Sequence, residues 1–126
     1  MTRILIVDDD PDMAELLGHM ADILGFEHEY VPTGEEALGA CRRRQPDAIV
    51  LDVMLEDTDG WAVYRQLEAV TAAPIVFITA WRTGENRRRA EALQADGFLA
   101  KPISHQEFAQ QLQQVLGRPA RRRALT

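Results

Sequence analysis

Short apolar runs alternate with longer segments of helical periodicity along this chain. The runs at Ile4–Val7, Ala48–Leu51 and Pro74–Ile78 are continuous and rich in β-branched residues, which is typical of strands buried on both faces of a sheet. Phe26–Val31 alternates apolar and polar residues, which predicts a half-exposed strand at or near a sheet edge. Gly97–Ala100 predicts a short last strand.

Helices are predicted between these strands from the spacing of apolar residues and from capping signals. Asp10 followed by Pro11 starts the first helix, and Gly25 ends it. Capping boxes, in which a Ser or Thr precedes a Glu by three residues, begin at Thr33 and Ser104. The predicted helices run over Pro11–Leu24, Thr33–Arg44, Trp61–Val70, Glu85–Gln94 and Ser104–Leu116.

The order of the predicted elements, a strand then a helix five times over, indicates the fold class. Successive β-α units imply a parallel sheet with helices on both faces, so we predict an α/β protein. A length of 126 residues suits one domain. No apolar run approaches the ~20 residues that span a bilayer, and the single cysteine cannot form an internal disulfide. We therefore expect a cytoplasmic protein that does not enter a membrane.

The charge is divided unevenly between a long acidic part and a short basic end. The net charge is −6, yet residues 1–117 carry 10 basic and 20 acidic residues. Residues 118–126, RPARRRALT, carry four arginines and no acid. We expect the acidic part to repel nucleic acid, and we interpret residues 118–126 as a solvated basic tail or the start of a linker. The predicted domain is therefore residues 1–117.

Polar residues follow four of the apolar runs, at the point where each predicted strand ends. They are Asp8 and Asp9 after the first strand, Asp52 after the third, Thr79 after the fourth and Lys101 after the fifth. Because open parallel sheets bind ligands outside the carboxyl ends of their strands, we expect these side chains to share one site. Two carboxylates about 4 Å apart repel each other by ~4 kcal/mol, which favours a bound cation. Oxygen ligands select a hard cation, and Mg²⁺ fits best.

This set of side chains indicates phosphoryl transfer. Mg²⁺ held by a few carboxylates completes its shell with water and phosphoryl oxygens, and an ammonium and a hydroxyl suit further phosphoryl oxygens. Positioning and charge neutralisation supply most of the catalysis of such reactions. The sequence has neither a GxxxxGK[ST] loop nor a GxGxxG motif after its first strand, so nucleotide binding is disfavoured. A carboxylate of the protein itself is then a candidate acceptor.

Four segments, in order and at family-like separations, resemble the response-regulator receiver domain of two-component signalling. They are ILIVDDDPDM, IVLDVMLEDTDGW, PIVFITA and GFLAKPIS, and the likeness extends over roughly residues 2–117. The resemblance implies a flavodoxin-like three-layer (βα)5 sandwich, with a parallel five-stranded sheet in the order 2-1-3-4-5 and Phe26–Val31 at its edge. It also implies Mg²⁺ as cofactor and a sensor histidine kinase or a histidine phosphotransfer protein as partner.

The resemblance assigns a role to each member of the acidic set. Asp52 is implied as the phosphoacceptor, which receives its phosphoryl group from a phosphohistidine. Asp9 and Asp52 are implied to bind Mg²⁺ directly, together with the backbone carbonyl of Met54. Asp8 is implied to assist through water. In this family, phosphorylation switches a surface formed by the fourth helix, fifth strand and fifth helix, which would also be the face of a homodimer.

Roles follow in the same way for the residues at the ends of the fourth and fifth strands. Lys101 is implied to contact the phosphoryl group and the acceptor carboxylate, and Thr79 to bond a phosphoryl oxygen in the active state. Phe98 occupies the aromatic switch position and is implied to rotate inward when Thr79 moves. The Lys101–Pro102 peptide bond is implied to be cis, an isomer that only X-Pro bonds adopt at low cost.

Two other functions compete with this interpretation at the level of the sequence. An interaction module with the same fold need never be phosphorylated, but it would usually lack at least one residue of the polar set. An aspartate-dependent phosphatase would place its nucleophile on the first strand in a DxD arrangement and carry a cap domain, for which this chain lacks the length. The chain fits either a stand-alone receiver or part of a larger regulator with an effector domain.

Overall fold

Five β-α units follow one another in the computed structural model, which describes residues 1–55, 58–80, 84–93 and 95–117, with residues 84–87 as backbone only. The strands are β1 (Arg3–Val7), β2 (Glu27–Val31), β3 (Ala48–Asp52), β4 (Ile75–Thr79) and β5 (Gly97–Ala100). The helices are α1 (Pro11–Ile23), α2 (Gly34–Arg43), α3 (Gly60–Glu68), α4 (Gly84–Ala92) and α5 (His105–Leu116).

The five strands form one parallel sheet in the order β2-β1-β3-β4-β5. The predicted α/β class and the strand order 2-1-3-4-5 are therefore confirmed. β2 lies at an edge, and its residues alternate in exposure as the polar-apolar alternation predicted. The three interior strands are buried at every residue, which explains the apolar run of four residues in each of them.

Side chains of the sheet pack on two separate helical layers. Leu5 and Val7 face a core shared with α2, α3 and α4, whereas Ile4 and Ile6 face a core shared with α1 and α5. This division follows from the alternation of side chains along a strand. The result is the three-layer arrangement that the sequence predicted, and it leaves the carboxyl ends of the strands as one open edge.

Local hydrogen bonds set the helix starts. The Asp10 side chain accepts from the N–H of Asp12, and Ser104 forms a complete capping box with Glu107 at the start of α5. At α2 the expected capping box is only half formed. Thr33 Oγ1 accepts from the N–H of Glu36 at 3.1 Å, but the Glu36 carboxylate accepts from the Thr33 hydroxyl.

Some predicted boundaries differ from those of the structure. α3 starts at Gly60 because the Asp59 side chain caps it by accepting from Ala62 N at 2.8 Å. It ends at Glu68, before the predicted Val70. The N–H groups of Ala69 and Val70 donate to the carbonyls of Gln66 and Leu67, three residues back, instead of continuing the α-helical pattern of four. β4 excludes Pro74, which has no N–H to donate.

Two sequence predictions concern positions outside the described residues. The predicted end of the fourth helix, Gln94, is one, and the basic segment 118–126 is the other. The last described helix, α5, ends at Leu116 with Gly117 as its cap. Among the described helices, none has the length and the apolar character needed to cross a membrane.

Candidate functional site

Asp8 lies directly after β1 and is completely buried. Its N–H donates to the carbonyl of Val31 at 3.2 Å, which extends the pairing of β1 with β2 by one residue. Its Oδ1 atom accepts from the N–H of Asp10 at 2.9 Å, so the turn before α1 folds around this carboxylate. The apolar strand and the turn together fix Asp8 at the open edge of the sheet.

Asp52 is the last residue of β3 and is 4% exposed. Its Oδ1 atom accepts from the N–H of Met54 at 2.9 Å, which holds the start of the loop that leads to α3. The side chain of Met54 is half exposed beside it. The Oδ2 atom of Asp52 is therefore the oxygen directed to the other side chains of the site.

Gly60 brings the start of α3 onto the backbone of Asp52, a feature that the sequence analysis did not assign. Its N–H donates to the carbonyl of Val53 at 2.6 Å. A Cβ atom at position 60 would clash with the carbonyl oxygen of Asp52 and would lie 2.7 Å from Val53 Cα. Only glycine fits this close approach of two backbone segments. The Asp-Gly pair before the helix was the available signal.

Lys101 reaches from the end of β5 to the carboxylates on β1 and β3. Its Nζ atom donates to Asp52 Oδ2 at 2.9 Å and to Asp8 Oδ2 at 3.3 Å. The N–H of Lys101 donates to the carbonyl of Thr79 at 2.7 Å, and the Lys101–Pro102 bond is cis. Side chains at the ends of three strands, those of Asp8, Asp52 and Lys101, thus meet at one edge of the sheet.

Three carboxylates at this edge form a candidate metal centre. One oxygen from each of Asp8, Asp9 and Asp52 lies within 4.8 Å of the others. Asp8 and Asp52 are buried, whereas Asp9 is partly exposed and leaves the group open on one side. A group made of carboxylate oxygens, without nitrogen or sulfur, fits a hard divalent cation.

The electrostatics of the group also favour a cation. Burial raises the pKa of Asp8 to about 6; the negative charge of Asp52 adds to this rise, while the N–H of Asp10 and the Lys101 ammonium oppose it. Burial alone would lower the pKa of Lys101, but its hydrogen bonds and attraction to Asp52 and Asp8 outweigh burial and raise it. One ammonium thus pairs with two of three clustered carboxylates, so this part of the molecule has surplus negative charge.

Thr79 and Phe98 lie on the two strands beyond Asp52. In the sheet, Asp52 is paired with Ile78, so the buried Thr79 is one residue further toward the open edge. Phe98 is paired with Phe77 and is partly buried against the core on the α2–α3–α4 face. The structure places both residues next to the strands that carry the site, and their switching roles stay predictions.

A comparison with protein families decides what kind of domain carries this site. The family model of the response regulator receiver domain matches residues 4–113. The chain belongs to the response regulator receiver domain family. The receiver domain implied by the sequence resemblance is therefore confirmed, and the protein is a receiver domain of a two-component response regulator.

Relatives with curated descriptions are regulators about twice as long. The chain is 37% identical over 106 residues to the DNA-binding response regulator MtrA of Mycolicibacterium smegmatis. The matched region covers 84% of the chain and 46% of MtrA. It is 33% identical over 120 residues to the sensory transduction protein RegX3 of the same organism. This matched region covers 95% of the chain and 53% of RegX3. The chain spans about half the length of the curated relatives it matches.

Solved structures share the fold over nearly the whole chain. A two-component response regulator from Clostridium difficile superposes with a TM-score of 0.87 at 29% identity and covers 94% of this chain and 98% of its own. The non-phosphorylated HemR receiver domain from Leptospira biflexa has a TM-score of 0.84 at 30% identity, with 94% and 98% covered. The flavodoxin-like three-layer fold is thereby confirmed.

Proposed function

We propose that this receiver domain accepts a phosphoryl group on Asp52 from a phosphohistidine of a sensor histidine kinase or a histidine phosphotransfer protein. One observation carries the proposal. The Oδ2 atom of Asp52 lies 2.9 Å from Lys101 Nζ, and Asp52 belongs to the cluster of three aspartates at the open edge of the sheet. The family makes a histidine kinase the expected type of partner. The acceptor residue and the donor are our assignments.

The proposed metal ligands are Asp9, Asp52 and the backbone carbonyl of Met54, with Asp8 acting through water. Three carboxylate oxygens within 4.8 Å of one another and the burial-raised pKa of Asp8 support a divalent cation, for which Mg²⁺ is our choice. A bound Mg²⁺ would neutralise negative charge on the phosphoryl oxygens. The partly exposed Asp9 leaves one side open for an incoming phosphoryl group.

The residues of the chain supply positioning and charge. An oxygen of the Asp52 carboxylate forms the new bond to phosphorus as the phosphorus–nitrogen bond of the donor breaks, and the electron pair stays on the imidazole nitrogen. The Lys101 ammonium, held beside that oxygen, stabilises the negative charge on the phosphoryl group. The hydroxyl of Thr79 then donates a hydrogen bond to a phosphoryl oxygen.

The proposed readout is a change at the surface made by α4, β5 and α5. Thr79 lies next to Ala100 in the sheet, so a shift of the threonine is transmitted to β5, where Phe98 sits. Rotation of Phe98 inward would change the shape of that surface, which we propose as the face of a homodimer. We also propose residues 1–117 as the functional domain and residues 118–126 as a basic tail or linker.

Acetyl phosphate with Mg²⁺ provides the test of this function. We expect the parent protein and the control Glu35→Gln, which alters an exposed carboxylate on α2, to gain a phosphoryl group by intact-protein mass spectrometry. Asp52→Asn should gain none. A parent that stays unmodified would support the non-phosphorylated interaction module, and steady release of phosphate from small phosphate esters would support a turnover phosphatase.

A further inference from the structure

A groove with a volume of about 370 Å³ lies between α3 and α4, and its lining includes none of the three clustered aspartates. We call it the α3–α4 groove. It is lined by Trp61, Ala62 and Arg65 from α3 and by Arg89, Ala92 and Leu93 from the α4 side. Small alanines on both helices keep the groove open.

The base of the α3–α4 groove is held in place by aromatic contacts. Trp61 is 6% exposed and packs on Phe77 of β4 with ring centroids 4.6 Å apart. The Tyr64 hydroxyl donates to the carbonyl of Leu93 at 3.1 Å, which ties α3 to the end of α4. The groove therefore exists before any partner arrives, which lowers the cost of binding.

Two arginines, Arg65 and Arg89, bring positive charge to the groove. The Cζ atom of Arg89 lies 5.0 Å from the centre of the Trp61 ring, a cation–π contact. In the part of the chain that the structure describes, the ion pairs include neither Arg65 nor Arg89. By contrast, the arginines near β2 pair with glutamates: Arg3 and Arg43 with Glu29, and Arg44 with Glu27.

One carboxylate also lines the α3–α4 groove. Asp59 stands at the start of α3, where its Oδ1 atom accepts from the N–H of Ala62 at 2.8 Å. This capping bond engages one oxygen of the Asp59 carboxylate with the backbone of its own helix. The groove thus carries two guanidinium groups and one carboxylate, with the alanines and the buried Trp61 ring among its apolar lining.

We propose that the α3–α4 groove binds an acidic segment of a partner protein. Carboxylates of the segment pair with Arg65 and Arg89, which offer planar forks suited to them, and a small apolar side chain covers Ala62 and Ala92. Residues 1–117 carry 10 basic and 20 acidic residues, so long-range repulsion grows with the charge of a polyanion and disfavours a nucleic acid more than a short acidic peptide. A short acidic peptide needs only the two arginines. In the unphosphorylated protein, binding at this surface needs no phosphoryl group on Asp52.

The test uses NMR on a single-tryptophan background. The chain has two tryptophans, so Trp81→Phe leaves the indole N–H of Trp61 as the sole reporter. The probes are a blocked Glu-Glu-Leu-Glu-Glu-Leu peptide, its Gln-Gln-Leu-Gln-Gln-Leu counterpart and a single-stranded oligothymidine. We expect a saturable shift of the Trp61 signal with the acidic peptide alone, and a weaker shift as salt is added.

Matched arginine variants test which groups bind. Arg65→Gln and Arg89→Gln should each raise the dissociation constant about fivefold, the upper range for one exposed ion pair, and the double variant should raise it further. Arg88→Gln is the control, since Arg88 is exposed on the same helix but does not line the groove, and it should leave the constant unchanged within about twofold. Arg65→Gln keeps the Arg89 contact with Trp61, so a folding defect at Arg89 does not decide the outcome.

Four outcomes would overturn the proposal. They are no shift with the acidic peptide at millimolar concentration, equal binding of the glutamine peptide, an equal loss in Arg88→Gln, and tighter binding of oligothymidine. The Asp52→Asn variant should bind the acidic peptide as the parent does. A failure of phosphorylation therefore leaves this proposal standing, and a failure of peptide binding leaves the proposed phosphoacceptor standing.

Discussion

At the scale of single residues, the site depends on one unusual side chain. Lys101 is the only lysine in a chain that has 13 arginines. A compact ammonium on a flexible stem can bond Asp52 and Asp8 together and still move to an arriving phosphoryl group. An arginine fork is bulkier and would hold a carboxylate through two parallel bonds. The residue type thus matches the geometry that the structure shows.

Replacing Lys101 should separate chemistry from folding. We expect Lys101→Met to slow phosphorylation of Asp52 by acetyl phosphate about 100-fold, since it removes a positive group that stabilises the developing charge. Lys101→Arg should keep a native circular dichroism spectrum and still slow the reaction. Phosphorylation rates from quenched mass spectrometry give the comparison, and an arginine variant as fast as the parent would contradict this role.

Gly60 provides a second test at this scale. A Cβ atom at position 60 would meet the backbone of Asp52 and Val53, so we expect Gly60→Ala to lower the free energy of unfolding by about 1–3 kcal/mol. The matched control is Gly39→Ala within α2, where a Cβ atom meets only the flexible end of Arg43. That change should stabilise the helix by up to about 1 kcal/mol. Urea unfolding of both variants measures the difference, and equal effects would argue against the close approach.

At the scale of elements, caps decide where helices begin. The complete capping box of Ser104 and Glu107 starts α5, whose buried face packs on the sheet. Ser104→Ala should cost about 1 kcal/mol because the N–H of Glu107 loses its acceptor. Urea unfolding checks the loss, with Ser104→Asp as the control that restores a cap. A loss shared by the aspartate variant would show that the cap is not the cause.

The sequence predicted the elements that depend on local patterns and missed those that depend on distant contacts. Buried strands and strand-end polar residues follow from apolar runs, so the meeting of Asp8, Asp52 and Lys101 was predictable. The cation–π contact of Arg89 was not, because Arg89 and Trp61 belong to different helices, and the approach of Gly60 was not, because it depends on how the chain turns back onto Asp52 after β3. Helix ends differed for a local reason, because side-chain caps and tight last turns shift them by one or two residues.

At the scale of the whole molecule, the cluster of Asp8, Asp9 and Asp52 should link cation binding to the stability of the fold. Any ion that binds only the folded state raises the free energy of unfolding. We expect Mg²⁺ to raise the melting temperature of the parent, and Asp9→Asn to reduce its affinity about tenfold or more. Asp10→Asn is the matched control, because asparagine still caps α1 and removes one neighbouring charge. Equal losses in the two variants would point to general charge instead of ligation.

The core adds a pH dependence through Cys41. Burial raises the pKa of this thiol to about 11; Glu29 adds to the rise and Arg3 opposes it. The unfolded chain releases the thiol proton near pH 9, so the folded state binds more protons between pH 9 and 11 and its stability falls as the pH rises. We expect a loss on the order of 2 kcal/mol across this range. Cys41→Ala should flatten that slope in urea unfolding, and an unchanged slope would contradict it.

The central claim is that Asp52 is the phosphoacceptor, and chemical trapping tests it most directly. The protein is phosphorylated with acetyl phosphate and Mg²⁺, reduced with borohydride to convert an acyl phosphate to homoserine, and sequenced by tandem mass spectrometry. Our account predicts homoserine at position 52 alone. Homoserine at position 8 or 9, or at no aspartate of a protein that had gained a phosphoryl group, would contradict it.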